Sequence, residues 1–195
     1  MADQPNRDRQ NQNFKGNNRS VEGPMEEKQY SENVVSIDRV SRVVKGGRRF
    51  RFRALVVLGD GKGKVGVGVS KGQDVQAAVQ KASDVAKKNM VTVALYNNTI
   101  PHESDAKVGG AHILIKPAAT GTGLKAGGVV RVILEAAGVS NILSKSLGSS
   151  NKINSAYATV KALEQLVASS DWVNKPETKK PAKKAAPKTA KAEAK

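Results

Sequence analysis

The chain has 195 residues, enough for one medium domain or two small ones. It has no cysteine, which excludes a disulfide framework or a thiolate metal site, and no run of about 18 apolar residues of the kind a membrane-spanning helix needs. Aromatic residues are only 4%, so any core must rest on Val, Ile, Leu and Ala, and the formal net charge of +16 points to a polyanionic partner while saying nothing about fold.

Residues 1–33 are polar and rich in Asn and Gln, with 5 basic and 6 acidic groups. They read as a disordered extension. They hold no apolar stretch of signal-peptide type, so the expected location is cytoplasmic. Residues 34–44 are rich in β-branched side chains and predict a strand, with Asp38, Arg39 and Arg42 interrupting both of its faces. A turn follows at Lys45, Gly46, Gly47 and Arg48, where the glycines can take positive φ. The next strand has the clearest pattern in the chain. Phe50, Phe52, Ala54, Val56 and Leu58 fall on one face as a core set, and Arg49, Arg51 and Arg53 fall on the other.

Residues 59–63 predict a second turn. Val65, Val67 and Val69 then alternate with Gly66 and Gly68 in a third strand, whose bare face would let a backbone or a ligand approach closely. Residues 74–89 predict a helix, with Val75, Ala78, Val79, Ala82, Val85 and Ala86 on one stripe and Asp74 as N-cap. Lys87 and Lys88 sit in its last turn, where cations suit the helix dipole. The first unit is thus βββα. Residues 90–95 form a short apolar strand, and Tyr96, Asn97 and Asn98 mark a boundary. The second unit predicts strands at 99–102, 112–116 and 141–146, a small-residue loop at 117–128, and helices at 129–137 and 153–168. The domain division is therefore 34–96 and 97–170, with a disordered Lys/Ala/Pro tail at 171–195.

Several motifs have plain alternatives. Gly61, Gly63 and Gly66 satisfy G-x-G-x-x-G, but a strand follows where a dinucleotide site needs a helix, so a hairpin is the better reading. Pro117 to Gly123 and Leu147 to Ser150 resemble two pieces of the phosphate loop of galactokinase-type and homoserine-kinase-type enzymes, separated here by about thirty residues. The glycine-rich loop before Val129 could hold an anion on exposed N–H groups or be a flexible connector. His102 and His112 have no partners at metal-ligand spacing. No cofactor and no enzymatic constellation is expected.

Charge distribution is more informative than its total. Residues 34–95 hold 13 basic and 4 acidic groups, a net of +9. Residues 174–195 hold 8 and 2, a net of +6, without any folding pattern. Solvated faces usually mix signs, because like charges side by side repel. A strand with Arg49, Arg51 and Arg53 and no acid among them fits a nucleic-acid face, and arginine suits bidentate phosphate contact. The candidate set is Arg42, Lys45, Gly46, Gly47, Arg48, Arg49, Arg51, Arg53, Lys62 and Lys64. No recognition helix is evident. A sheet with basic turns fits phosphate reading of irregular RNA better than groove reading of DNA.

Residues 40–50 (VSRVVKGGRRF), 59–66 (GDGKGKVG) and 77–82 (AAVQKA) resemble the first domain of the small-subunit ribosomal protein five family. Residues 121–131 (GTGLKAGGVVR) and 147–151 (LGSSN) resemble its second domain. The resemblance runs in order from about Val34 to Leu166. It implies an α+β chain of two α/β sandwich domains. The first would be like a double-stranded-RNA-binding domain, and the second would share the fold of galactokinase-type kinases without their chemistry. It also implies a structural constituent of the small ribosomal subunit that binds small-subunit rRNA, supports assembly and decoding accuracy, and lies near the mRNA entrance. Small-subunit proteins four and eight would be neighbours, with Gly123 and Arg131 at the contact with protein four. Where the family often has proline after its Gly-Ser-x-Asn motif, this chain has Lys152. A DNA-coating nucleoid protein that uses the basic tail, and a small-molecule kinase, are the rival readings.

Overall fold

The computed structural model describes residues 30–168 and 171–172. The expected disorder of residues 1–29 and of the tail beyond 172 lies outside the described residues. The first half contains β1 (Ser31–Val44), β2 (Gly47–Gly59), β3 (Lys64–Gly72), α1 (Val75–Lys88) and β4 (Met90–Thr92). The second contains β5 (Ser104–Val108), β6 (Ala111–Pro117), β7 (Leu124–Lys125), α2 (Gly128–Ala137), β8 (Ile142–Ser146) and α3 (Lys152–Glu164). Two four-stranded sheets result, in the orders β1-β2-β3-β4 and β5-β6-β8-β7, antiparallel throughout except for β7 against β8. The α+β class is as expected. The first strand begins earlier than expected, because Ser31, Glu32 and Asn33 pair with Gly59, Leu58 and Val57.

The inner half of β2 is apolar on both faces, and this sets the layering. Ala54, Val56 and Leu58 pack on Ala78, Ala82 and Ala86 of α1. Leu55 and Val57, with Val65 and Val67 of β3, pack the other way, into one core with Ile133 and Leu134 of α2 and Leu163 of α3. That core continues to Ile113, Ile115 and Ile142 of the second sheet. The order is therefore α1, first sheet, α2 with α3, second sheet. The larger core is common to both halves, so the two expected α/β units pack against one another through it. Strand periodicity hid this: Leu55 and Val57 share the face of Arg49, Arg51 and Arg53, which the sequence reading gave to guanidinium groups alone.

The bare face of β3 receives a backbone. A Cβ at Gly68 would lie 2.7 Å from the Ala86 nitrogen and against the Ala82 carbonyl, and one at Gly66 would meet the Ala86 carbonyl. The Ala positions of α1 and the glycines of β3 together let helix and sheet approach closely. Asp74 occupies the N-cap position, but its side chain makes no capping bond.

Secondary-structure expectations fail most in the second half. Residues 99–102 are not a strand; the partner of β6 is the polar β5, of which only Ala106 is fully inside. Ile100, which supplied the apolar signal, is a buried plug beside a tight turn. That turn pairs Tyr96 with Thr99 and places Asn97 and Asn98 at φ 47° and 63°, a conformation Asn tolerates. β7 lies within the expected loop, and α3 ends at Glu164 rather than near 168.

Candidate nucleic-acid interface

β1 and β2 pair along their whole length, but β3 joins β2 only from Phe52 opposite Gly72 onward. Residues 39–51 therefore continue as a two-stranded arm, which at about 3.4 Å per residue projects roughly 17 Å beyond the sheet. The turn at its tip places Lys45 and Gly46 between Val44 and Gly47, with Gly46 at φ 88° and Gly47 at φ 150°. Open space surrounds both glycines. The arm lacks a core of its own. Phe50, expected inside, is 50% exposed and stacks under Arg39, whose guanidinium carbon is 3.8 Å from the ring centroid; Val43 is 76% exposed. An isolated two-stranded ribbon is marginal in water, and this one is anchored by its continuation into the four-stranded sheet.

The register sorts the expected arginines. Arg42 lies directly opposite Arg49, Val40 opposite Arg51, and Asp38 opposite Arg53, all on one face of the arm. Arg53 is neutralised at home: Nη2 and Nε donate to Asp38 Oδ2 at 2.9 and 3.3 Å. Lys71 on β3, opposite Arg53, joins the others. Val40, Ser41, Arg42, Arg49, Arg51 and Lys71 line a groove of about 290 Å³. Among the described residues, no carboxylate pairs with any of its four cations. Facing Arg42 against Arg49 is a repulsive cross-strand pair unless an anion sits between them. Arg48, opposite Val43, lies on the other face of the arm, with Arg39 and Phe50. Lys71 was missed by sequence reasoning. Its signal was the end of the Val65, Val67, Val69 alternation, where the apolar face of β3 turns basic.

Lys62 and Lys64 are not part of this groove. They sit at the far end of β2, 13 residues from the arm's turn, roughly 40 Å away at 3.3 Å per residue. Their backbone N–H groups donate to Asp60 Oδ1 at 2.7 and 2.9 Å. Burial of the Asp60 carboxyl works to raise its pKa, but those two bonds, one from its own N–H and the Lys64 charge together hold it below the usual carboxylate value. The turn they shape is a latch between layers. Gly61 N–H donates to the Ala136 carbonyl and Gly63 N–H to the Ala137 carbonyl, both at 3.0 Å, satisfying the open C-terminal end of α2. Gly138, at φ 83°, closes the helix where a side chain would strike Gly61.

In the second half, Gly123 takes φ 72° in a loop clamped by one side chain: Asn141 Oδ1 accepts from Gly121 and Gly123 N–H groups, both at 3.1 Å. Asn141 is buried, and nothing in the sequence pattern singled it out. Arg131 is exposed on α2. The two kinase-like pieces stand apart, since Ser149 bonds to Gly110 at one end of the β6–β8 pair and Pro117 faces Ile142 at the other. This separation gives the kinase reading no phosphate loop. The histidines have structural partners. His102 Nε2 accepts from Val167 N–H at 3.0 Å, and His112 Nε2 lies 2.9 Å from Asp105 Oδ2.

Two family models match this chain. Ribosomal protein S5, N-terminal domain, matches residues 30–94, which span β1 to β4 and hold the whole arm. Ribosomal protein S5, C-terminal domain, matches residues 106–174, which hold the Asn141 clamp, α2 and α3. Together they cover more than half of the chain.

Proposed function

The chain belongs to the ribosomal protein S5 family, whose members are structural proteins of the small ribosomal subunit that work in translation with its rRNA and proteins, and from that premise we propose that the arm is this chain's grip on small-subunit rRNA. The observation that carries the proposal is Arg42 held opposite Arg49, with Arg51 and Lys71 beside them and no carboxylate among the described residues to offset the repulsion. Guanidinium groups in a groove on a projecting ribbon suit the phosphates of folded RNA, where shape and backbone are read before sequence. Lys45 and the open glycines at the tip let the turn follow RNA closely. Arg53 serves the arm's own structure through Asp38, and Lys62 and Lys64 serve the latch, so neither is central to the grip.

The finer reading assigns a division of labour. Residues 34–96 act as a double-stranded-RNA-binding-like unit. Residues 97–170 act as a unit with the galactokinase-type fold that faces other proteins. Gly123, on its clamped loop, and Arg131 form the contact with small-subunit protein four and act on decoding accuracy, with protein eight as a second neighbour and the mRNA entrance close by. The chain performs no chemistry itself and remains ribosome-bound in the cytoplasm. Gradient sedimentation at high salt tests this reading. The intact chain is expected to co-migrate with small subunits, and R42A/R49A/R51A is expected to shift toward free fractions. Finding the intact chain only in free fractions would overturn the proposal.

A further inference from the structure

The second sheet has one face that no described element covers. Its inner face carries Ala106, Ile113, Ile115 and Ile142, all in the core. The alternate positions point away: Asp105 and Lys107 on β5, His112, Leu114 and Lys116 on β6, Leu143 and Lys145 on β8, and Lys125 on β7. Pairing fixes their arrangement in rows. Lys107 lies beside His112, Leu114 lies between Asp105 and Lys145, and Leu143 lies between Lys116 and Lys125. The nearby carboxylates are already engaged, Asp105 with His112 at 2.9 Å and Glu103 with Lys116 at 3.1 Å. Lys107, Lys145 and Lys125 have no ion pair among the described residues. They step across the face on a diagonal from one edge strand to the other, about 20 Å long by strand spacing and rise.

We propose that this uncovered face is a second contact for RNA backbone, with Lys107, Lys145 and Lys125 as its phosphate ligands. The inference rests on the reading that this chain works on rRNA, and it gives the second half an RNA contact beyond its protein neighbours. Charge selects the occupant. A second copy of the chain docked symmetrically here would bring lysine against lysine. A protein partner would find a poor centre, because protein interfaces exclude lysine from their cores and build them on aromatic and apolar groups. Here the middle of the face holds Lys145, with only Leu114 and the 39%-exposed Leu143 beside it. Lysines spaced along a line suit a phosphate backbone, which needs positive charge without a deep pocket. The two faces also differ in chemistry: the arm's groove carries three guanidinium groups and the Lys71 ammonium at a ribbon, whereas this face carries ammonium groups on a four-stranded sheet.

The test is filter binding of the full chain to small-subunit rRNA over a salt series, comparing K107A/K125A/K145A, K107R/K125R/K145R and R42A/R49A/R51A with the parent. The alanine variant is expected to bind about tenfold or more weakly near 0.1 M salt, with the slope of log K against log salt reduced by about 2–3, and the arginine variant to bind like the parent. Unchanged circular dichroism establishes that the variants fold. Parent-like binding by the lysine-to-alanine variant, with the arm variant weakened, overturns this inference and leaves the arm reading intact. Weakening of the lysine variant alone supports this inference and removes the arm as a grip. Normal rRNA binding with failed incorporation into subunits would overturn it in favour of a protein partner.

Discussion

Gly59→Ala should be among the most damaging single-methyl substitutions in the chain. Its φ is outside the left-handed region, so alanine pays no backbone penalty, and the effect isolates the contact between layers. The added Cβ would fall on the Ala136 carbonyl oxygen and 2.7 Å from the Ala136 side chain. Neither is the free end of a flexible side chain, so β2 and α2 must separate. Overpacking of this kind costs about 1–3 kcal/mol. Separation also weakens the bonds from Gly61 and Gly63 to the end of α2, each contributing about 0.5–1.5 kcal/mol. The total is about 2–6 kcal/mol, against a whole-domain stability of about 5–15 kcal/mol. Equilibrium urea unfolding followed by circular dichroism measures it. Gly128→Ala is the control, because its Cβ meets open space at the start of α2 and should leave stability unchanged or raise it by up to about 1 kcal/mol. A Gly59→Ala protein within about 0.5 kcal/mol of the parent would show that the halves are not locked through this contact.

Three further outcomes follow from particular contacts. Lys152 is the first residue of α3, after an Asn151 cap whose Oδ1 accepts from Ile153 N–H at 3.1 Å; Lys152→Pro, a residue suited to the first helical position, should stabilise the chain by about 0.4–1 kcal/mol in the same urea assay. The lowered pKa of Asp60 means its contribution is complete above the unfolded carboxylate value and fades as pH falls through the lower folded value. Asp60→Asn, which keeps the Oδ1 acceptor, should therefore flatten that acid limb in thermal melts taken at successive pH values, and an unchanged limb would contradict the assignment. Under the proposed contact with protein four, Arg131→Glu should change stop-codon readthrough in reporter assays while leaving affinity for naked rRNA within about twofold, since a rim charge acts on its protein partner; unchanged readthrough would contradict that proposal.

The sequence made β2 legible because period two is a geometric consequence of strand structure. Phe52, Ala54, Val56 and Leu58 could be assigned to one face without coordinates. The glycines of β3 likewise announced a close approach, and α1 fills it. Pairing partners were less legible. Arg42 opposite Arg49, Asp38 beside Arg53, and Lys71 across from Arg53 depend on register, which one strand read alone does not carry. The shared core was hidden for a related reason. Leu55 and Val57 follow three arginines on the same face, and only the docking of α2 shows why that face changes character midway along β2. β5 was missed because an edge strand with one fully buried side chain has almost no hydropathy signal. Lys62 and Lys64 looked continuous with the arm because they are near it in sequence, yet β2 carries the chain away from the tip before reaching them.

The central claim is that Arg42, Arg49 and Arg51 of the arm with Lys71 at its base, rather than the whole basic run up to Lys64, form the first domain's grip on RNA. The most direct measurement is the salt dependence of binding to small-subunit rRNA for the parent, R42A/R49A/R51A and K62A/K64A. The account predicts that the arm variant loses affinity and that its slope of log K against log salt falls by about 2–3, while the Lys62 and Lys64 variant keeps a slope near the parent's. Equal affinity and equal slope for the parent and the arm variant at every salt concentration would contradict it.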